Sequence, residues 1–360
     1  MFKRRVARKV GSIASRTTAA VFAAVMVLAA APAAAEGKPA VIRIANPGVG
    51  IGGRPVVGSS PWSLLHIKGI LEEEFKPDGI KVEWTFLRGA GPAVNELFAN
   101  GLADIASLGD LPSIIGKSSG LKTRMLATSG LSNRYIAVPA DSSVQSVKDL
   151  AGRRFAMTKG TCNHLAANRI LETYGLREKD VRTINMDNPT MLAALNTKDI
   201  DAAIGGPELL QLRDRGAVRI IHTTKGDPRF TCNSTIIVSD DFASKYPSIV
   251  KRIVRAHVKI SKWFTEKESN PAEIYQLFSK SGVPFSNHKE EWTGDSFKVR
   301  ASPLLDGYLL ARYTSSVRDA QRYNLIRGNT TVNTWIDSSF LNEVLKEEGL
   351  ENYWPARPVQ

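Results

Sequence analysis

The chain has 360 residues, of which 43% are hydrophobic and 23% charged, the balance of ordinary globular domains. Its 48 basic and 35 acidic residues give a formal net charge of +13. Because no stripe of Arg and Lys is interleaved with aromatic residues, nucleic acid is a poor candidate as a partner, and the length predicts about two domains.

The first 35 residues have the pattern of a secretory signal peptide. Six basic residues lie between Lys3 and Arg16, an apolar run covers residues 19–31, and small residues precede Glu36. That run is too short to span a bilayer comfortably, which favours a cleaved leader over a membrane anchor. The sequence therefore predicts a periplasmic protein, exported by the Sec or the twin-arginine route. Loss of the leader lowers the formal charge from +13 to +7, a balance that favours acidic ligands or an acidic docking partner.

After the leader, short apolar strands alternate with amphipathic helices. Predicted strands cover residues 41–45, 82–86, 136–138, 155–157, 181–186, 218–221 and 234–239. From Asp241 onward the pattern is mostly helical, and this tail is too apolar to be disordered. Strands alternating with helices predict a mostly parallel α/β sheet in each domain.

Two segments about a hundred residues apart repeat one pattern. Residues 102–112 read LADIASLGDLP and residues 199–208 read DIDAAIGGPE. Each enters a short buried strand through an aspartate (Asp104, Asp201) and leaves it through glycine, proline and an acid. Because ligands of open α/β sheets bind beyond the carboxyl ends of the strands, we expect two similar lobes that face one cleft. The two aspartates are expected to serve turns.

The chain contains two cysteines, Cys162 and Cys232. In an oxidising compartment an isolated pair is more often bridged than free, and two buried free thiols are the alternative. A bridge would close a loop of about seventy residues and contribute roughly 4 kcal/mol to stability.

Several motifs match catalytic or nucleotide-binding patterns by their letters alone. GVGIGG at residues 48–53 fits G-x-G-x-x-G, but a loop follows where the fingerprint needs a helix. GKSSG at residues 116–120 fits G-x-S-x-G, but a helix precedes it where a nucleophile elbow needs a strand. The five histidines include no pair at zinc-ligand spacing. We therefore expect no enzyme activity, no metal and no cofactor.

Two loops suit the binding of an anion. Residues 160–163 (GTCN) connect a predicted strand to a helix amino terminus, where free N–H groups and the helix dipole attract negative charge. Residues 89–92 (GAGP) open another helix in the same way, and simple capping is the alternative for each loop alone. The candidate ligand-binding residues are Arg54, Ser60, Trp62, Arg88, Gly89, Gly109, Asp110, Leu111, Gly160, Thr161, Cys162, His164, Gly206 and Glu208.

Three of these candidates also have ordinary structural roles. Asp110 and Glu208 follow equivalent strands. Each is expected either to cap a helix or to bind a positive charge, which could be an ammonium group of the ligand or an arginine. The candidate arginines are Arg54, Arg88 and Arg134. His164, just inside a helix, is more often a packing or capping residue than a ligand contact.

Four segments carry a resemblance to a known family: GLADI with GDLP within residues 101–112, VKDLAGRRFA at 147–156, KGTCNH at 159–164 and FLNEVLKEEGLENYW at 340–354. Together they resemble the periplasmic substrate-binding proteins of the nitrate, taurine and aliphatic-sulfonate importers. The resemblance implies a two-lobe, type II periplasmic binding protein fold with two hinge strands, residues 135–139 and 235–239, and with the C-terminal helices packed on lobe I. Lobe I would cover residues 36–138 and 236–360, and lobe II residues 139–235.

The resemblance also implies a function. A monomer would trap a small organic anion by hinge closure and deliver it to an ABC transporter permease in the inner membrane. Sulfonate or taurine is the first expectation for the ligand, ahead of nitrate. Two departures from the family bear on it: Gly205 and Gly206 stand where sulfonate binders usually have an aromatic residue, and the loop 47–61 is longer than usual.

Two alternatives to a transport function stay open. One is an enzyme of the same fold similar to the pyrimidine-precursor synthases of thiamine biosynthesis, which the leader and the low cysteine count disfavour. The other is a binding protein that serves a membrane sensor.

Overall fold

The computed structural model describes residues 37–328 and 330–359, so the predicted signal peptide, residues 1–35, lies outside the described residues. The described chain forms two five-stranded sheets with helices packed on them. The strands are β1 (Val41–Asn46), β2 (Lys81–Phe86), β3 (Ile105–Gly109), β4 (Thr123–Ser132), β5 (Tyr135–Pro139), β6 (Arg154–Met157), β7 (Arg182–Asn185), β8 (Ala202–Gly205), β9 (Val218–Thr223) and β10 (Cys232–Ser239).

The two sheets have the same topology. The strand order is β2-β1-β3-β10-β4 in the first sheet and β7-β6-β8-β5-β9 in the second. In each sheet four strands run in one direction, and the fourth strand in the order, β10 or β5, is antiparallel to both of its neighbours. The prediction of mostly parallel α/β sheets is therefore confirmed. We call the first sheet with its helices lobe I and the second sheet with its helices lobe II.

Fourteen α-helices lie in the described part of the chain. They are α1 (Pro61–Ile67), α2 (Ile70–Phe75), α3 (Ala90–Ala99), α4 (Asp110–Ser118), α5 (Cys162–Thr173), α6 (Asn188–Asn196), α7 (Glu208–Asp214), α8 (Asp240–Lys245), α9 (Pro247–Glu266), α10 (Ala272–Phe278), α11 (Phe285–Trp292), α12 (Phe297–Arg300), α13 (Gly307–Arg322) and α14 (Ser339–Glu347). Among these residues, no helix has both the length and the apolar character that crossing a membrane requires.

The helical tail predicted from Asp241 onward packs mainly on lobe I. The long helix α9 lies against α1 and α14 and buries its apolar face in one core with residues of β1, β3, β4 and β10. Helix α13 packs on α4 in a second core on the other face of the same sheet. The tail thus covers both faces of the first sheet, as the resemblance implied.

The chain passes between the lobes a few residues earlier than the predicted limits of 138/139 and 235/236. Strand β5 pairs with β8 and β9, and β10 pairs with β3 and β4. The predicted hinge strands, residues 135–139 and 235–239, therefore each lie within one sheet, because strands bonded on both sides cannot also span the gap. The crossings are residues 133–134 and 224–231.

The repeated aspartates hold equivalent places in the two sheets. The Asp104 carboxylate accepts hydrogen bonds from the backbone N–H, Nε and Nη2 of Arg43 in β1, at 2.8, 3.0 and 2.6 Å. The Asp201 carboxylate accepts the same three from Arg154 in β6, at 2.7, 3.2 and 3.0 Å. Each pair fixes the entry of the strand that leads to a Gly-Pro exit, so the sequence repeat corresponds to a structural one.

We expect Asp104→Asn to lower the free energy of unfolding by about 2 kcal/mol, because charged hydrogen bonds to Arg43 are lost at a buried carboxylate. Asp201→Asn should cost less, since its side chain is 26% exposed and that of Asp104 is 5% exposed. Asp141→Asn is the control, because it removes an ion pair to Lys198 whose two side chains are mostly exposed. Urea unfolding measures all three, and equal losses would contradict the ranking.

Candidate functional site

A cavity of about 690 Å³ lies between the two sheets. Lobe I contributes residues at the carboxyl ends of its strands, among them Asn46 and Gly109, and lobe II contributes Thr158 and Gly206, which directly follow β6 and β8. The cavity therefore occupies the place where ligands of parallel α/β sheets bind.

The cavity brings together eight of the fourteen candidate residues. They are Ser60, Trp62, Arg88, Gly109, Thr161, Cys162, Gly206 and Glu208. The other six do not line it: Arg54, Gly89, Asp110, Leu111, Gly160 and His164. Arg54 is exposed and its Nη1 donates to the carbonyl of Lys280 at 3.4 Å, whereas Leu111 is fully buried in the core beneath α4.

Carboxylates lie at the amino termini of three helices near the cavity. Asp110 is buried at the start of α4, where Oδ1 accepts from the Leu111 N–H at 2.9 Å and Oδ2 from the Ser316 hydroxyl at 3.1 Å. Glu208 in α7 accepts from the Gly206 N–H and from Asn188 Nδ2, at 2.8 and 3.0 Å. Asp187 caps α6 through the N–H of Thr190. Asp187 is thus an N-cap, whereas Asp110 and Glu208 are the first residues of their helices and bond beside the helix start and to neighbouring side chains.

Helix α5 differs because no carboxylate caps it. Its N-cap residue, Thr161, directs its hydroxyl to the carbonyl of Thr158 at 2.7 Å. The N–H groups of Cys162 and Asn163 lie in the first turn, so they have no acceptor within the helix, and both residues line the cavity. The start of α5 is thus an electropositive end at the cavity, and negative charge is favourable there.

His164 turns away from the cavity and supports the loop in front of α5. Its Nδ1 accepts from the Gly160 N–H at 3.3 Å, and its Nε2 lies 2.8 Å from Oε2 of Glu178. Lys159 forms a further ion pair with Glu178, at 2.9 Å. The hydrogen bond from His164, followed by that from Lys159, lowers the pKa of Glu178 to about 2 against the cost of burial. His164 is therefore positioned to hold the loop.

Arg134 lies on the first crossing between the lobes and lines the cavity, although it was not among the candidate ligand-binding residues. Its Nη1 donates to the carbonyl of Asn133 at 2.6 Å and its Nη2 lies 3.1 Å from Sγ of Cys162. Its Nε is buried without a hydrogen-bond partner, and no described carboxylate forms an ion pair with it. Burial lowers the pKa of the guanidinium, which the charge of Glu208 partly offsets. Arginine stays protonated, and the charges of Glu208, Glu291 and Asp110 act on it although none of the three forms an ion pair with it.

Two more lining residues have an unused hydrogen-bond donor. Nδ2 of Asn46 and Nε1 of Trp62 are buried with no acceptor among the described residues. Like Nε of Arg134, both atoms have almost no accessible surface, so they are unpaired donors behind the cavity wall. The position of Asn46 at the end of β1 was the available sequence signal.

The rest of the cavity wall is largely apolar. Its aliphatic lining residues come from both lobes: Val49, Ile51, Val57, Leu131, Val283, Leu192, Ala193 and Leu212. A volume of about 690 Å³ exceeds what a bare inorganic anion fills, so the cavity suits a ligand that joins an anionic group to an apolar one. Within the described residues, no cluster of His, Cys, Asp and Glu could hold a metal ion.

The lobes meet around the cavity. A Cβ built at Gly160, which has φ of +73°, would lie 3.1 Å from Cγ of Pro92 at the start of α3. The short 3₁₀ helix Ile51–Gly53 of lobe I contacts α6 of lobe II. Nε of Arg88 lies 4.0 Å from Oδ2 of Asp187 across the gap. The two anion-binding loops predicted from the sequence, at residues 89–92 and 160–163, therefore lie next to each other.

Comparison with known proteins matches residues 75–270 to the family described as NMT1/THI5 like. The chain belongs to the NMT1/THI5-like family. This confirms the resemblance drawn from its sequence motifs.

Two curated relatives of this NMT1/THI5-like protein are similar over part of its length. A Bacillus subtilis (strain 168) protein assigned as an aliphatic sulfonates-binding protein is 29% identical over 223 residues, which are 60% of this chain and 65% of the relative. The taurine-binding periplasmic protein of Escherichia coli (strain K12) is 23% identical over 214 residues, 58% of this chain and 67% of that one. The match to the Bacillus relative thus spans slightly less than two thirds of its length.

A solved structure resembles this NMT1/THI5-like protein over most of the chain. It is the periplasmic sulfonate-binding protein SsuA from Methylobacillus flagellatus KT, at 31% identity, with a TM-score of 0.73 and coverage of 89% of this chain and 98% of that one. The nitrate-binding protein NrtA from Synechocystis PCC 6803 shares the fold at 16% identity, with a TM-score of 0.69 and coverage of 90% and 93%. The two-lobe fold expected from the sequence is confirmed.

The lowered pKa of Glu178 should make the stability of the folded protein depend on pH in acid. Its pKa of about 2 in the folded protein is below the value near 4.3 of an unfolded chain, so its stabilising contribution is complete above the unfolded pKa. That contribution, on the order of 3 kcal/mol, should disappear as the pH falls from about 4.5 to 2. Urea unfolding at pH 5 and pH 3 should show a smaller loss for Glu178→Gln than for the natural chain. The same loss in both would contradict this role, and Glu351→Gln, at an exposed site, is the control.

Proposed function

We propose that this protein binds an organic sulfonate outside the cytoplasm and delivers it to an ABC transporter permease. The single observation that carries the proposal is the Arg134 guanidinium, which has no carboxylate partner and lines a mostly apolar cavity beside the uncapped start of α5. The names of the sulfonate-binding relatives support the same ligand class. Export would depend on the predicted leader, and we propose that the protein acts as a monomer.

The anionic head group would bind at the junction of the lobes. A sulfonate carries three acceptor oxygens, which suit the guanidinium of Arg134 and the N–H groups of Cys162 and Asn163. The remainder of the ligand would lie against the aliphatic wall. Because residues from both lobes contact such a ligand, binding would favour the closed arrangement.

The volume of the cavity favours the larger of the expected ligands. Nitrate and taurine would leave much of the aliphatic wall without a partner, whereas an alkanesulfonate of about six carbons would cover it. Each buried CH₂ contributes about 0.8 kcal/mol, which is roughly a fourfold gain in affinity. We therefore propose alkanesulfonates ahead of taurine, and taurine ahead of nitrate.

A catalytic function is the weaker candidate. The desulfurization enzyme DSZB shares the fold at 19% identity with a TM-score of 0.63, a likeness that concerns the fold alone. Both cysteines of the present chain are joined in a disulfide, which leaves it without a free thiol nucleophile. The pyrimidine-precursor synthase alternative gains no support from the cavity, where we find donors for an anion and no catalytic constellation.

The experiment that tests the proposal is titration calorimetry with hexanesulfonate, taurine, nitrate and hexanoate. We expect hexanesulfonate to bind most tightly, and in a thermal-shift assay a ligand at a hundred times its Kd should stabilise the protein by about 2.7 kcal/mol. Arg134→Gln should weaken hexanesulfonate binding about 10- to 100-fold, because charged hydrogen bonds are lost.

Arg54→Gln is the matched control, since Arg54 is exposed and does not line the cavity. Its affinity for hexanesulfonate should equal that of the natural chain. Binding of none of the four anions would refute the ligand class, and unchanged affinity in Arg134→Gln would refute the assigned role of Arg134.

A further inference from the structure

The two crossings between the lobes lie side by side. The N–H of Arg134 donates to the hydroxyl of Thr224 at 2.8 Å, and the N–H of Thr224 donates to the carbonyl of Arg134 at 2.9 Å. Arg134 belongs to the first crossing, and Thr224 begins the second. The backbone connections between the lobes are thus gathered at one place, next to the proposed anion site.

The disulfide adds a connection of another kind. Cys162 is the first residue of α5, a helix of lobe II, whereas Cys232 is the first residue of β10 and pairs with Ser132 of β4 in lobe I. Their sulfurs are bonded, and their Cα atoms are 5.5 Å apart across a separation of 70 residues. The bond therefore joins the two lobes directly, as a third covalent link beside the two crossings.

The disulfide is also part of the cavity wall. Both cysteines line the cavity, and Nη2 of Arg134 contacts Sγ of Cys162 at 3.1 Å. A Cβ built at Gly109 would lie 3.3 Å from each of the two sulfurs, so the end of β3 rests directly on the bond. The disulfide thus lies between the start of α5 in lobe II and the guanidinium of Arg134 on the first crossing.

We propose that the Cys162–Cys232 disulfide limits the opening of the lobes and keeps the start of α5 beside Arg134 in the absence of ligand. The cysteines are positioning residues for the anion site. Opening then occurs as a rotation of lobe II about the crossings and the disulfide together. The distant rim of lobe II, with Asn188 and Gly206, separates from lobe I, and the anion-binding groups stay assembled.

This inference rests on the proposed function for its effect on affinity. The apparent affinity of a ligand falls in proportion to the fraction of protein in the binding-competent arrangement. A covalent link that removes widely open arrangements raises that fraction, since less conformational freedom is lost when the ligand binds. The disulfide should therefore increase affinity for an anion without adding a ligand contact of its own.

The test compares the oxidised protein with the double variant Cys162→Ser/Cys232→Ser by small-angle X-ray scattering and titration with hexanesulfonate. We expect the ligand-free variant to have a larger radius of gyration than the oxidised protein, and the two radii to agree at saturating hexanesulfonate. The variant should bind hexanesulfonate about tenfold more weakly. The natural chain in a reducing agent should behave as the variant does, which separates loss of the bond from effects of the new serines.

The radius of gyration and the affinity together show whether the disulfide limits opening or only stabilises the fold. They also separate both outcomes from failure of the proposed function. A lower melting temperature with unchanged radius and affinity would mean that the disulfide only stabilises the fold, and would overturn the inference. If no sulfonate binds either form, the proposed function fails, and the ligand-free radii still decide whether the bond limits opening. If the double variant does not fold, the reduced natural chain provides the same comparison.

Discussion

An arginine without an ion-pair partner at the junction of the two sheets is the feature on which the other parts of the site depend. Arg134 lies where the chain first passes from one lobe to the other, and no described carboxylate forms an ion pair with it, although Glu208, Glu291 and Asp110 act on it from a longer distance. A guanidinium in such a place is costly to desolvate, so a bound anion stabilises it strongly. The carboxylates of Asp110 and Glu208 accept hydrogen bonds from backbone N–H groups close to the start of their helices, so the Arg134 guanidinium and the positive end of α5 can both attract an anion.

The duplicated strand pattern explains why a cleft exists at this junction. In both sheets an Arg–Asp pair fixes the entry to a central strand. At the cavity, β3 ends in Gly109 and β8 is directly followed by Gly206. The antiparallel strand of each sheet, β5 or β10, directly follows a crossing. Two equivalent edges of strand ends are thereby placed opposite each other, and each supplies loops and helix starts whose N–H groups point outward from the sheets.

Local patterns allowed much of the fold to be predicted. The repeat around Asp104 and Asp201, the alternation of strands and helices, and the helical tail are all present in the structure because each depends on near neighbours in the chain. The direction of His164 and the role of Arg134 could not be predicted in this way. His164 is bonded to Glu178, fourteen residues further along, and the surroundings of Arg134 are set by residues from several distant segments. The lobe limits implied by the family resemblance lie a few residues after the crossings, because the sequence of a strand does not reveal to which sheet it belongs.

The measurement that most directly tests the account is a crystal structure of the oxidised protein with hexanesulfonate. The account predicts sulfonate oxygens within hydrogen-bond distance of the Arg134 guanidinium and of the N–H groups of Cys162 and Asn163, with the alkyl chain against the aliphatic lining. A sulfonate group bound elsewhere in the cavity, with Arg134 still lacking an anionic partner, would contradict it.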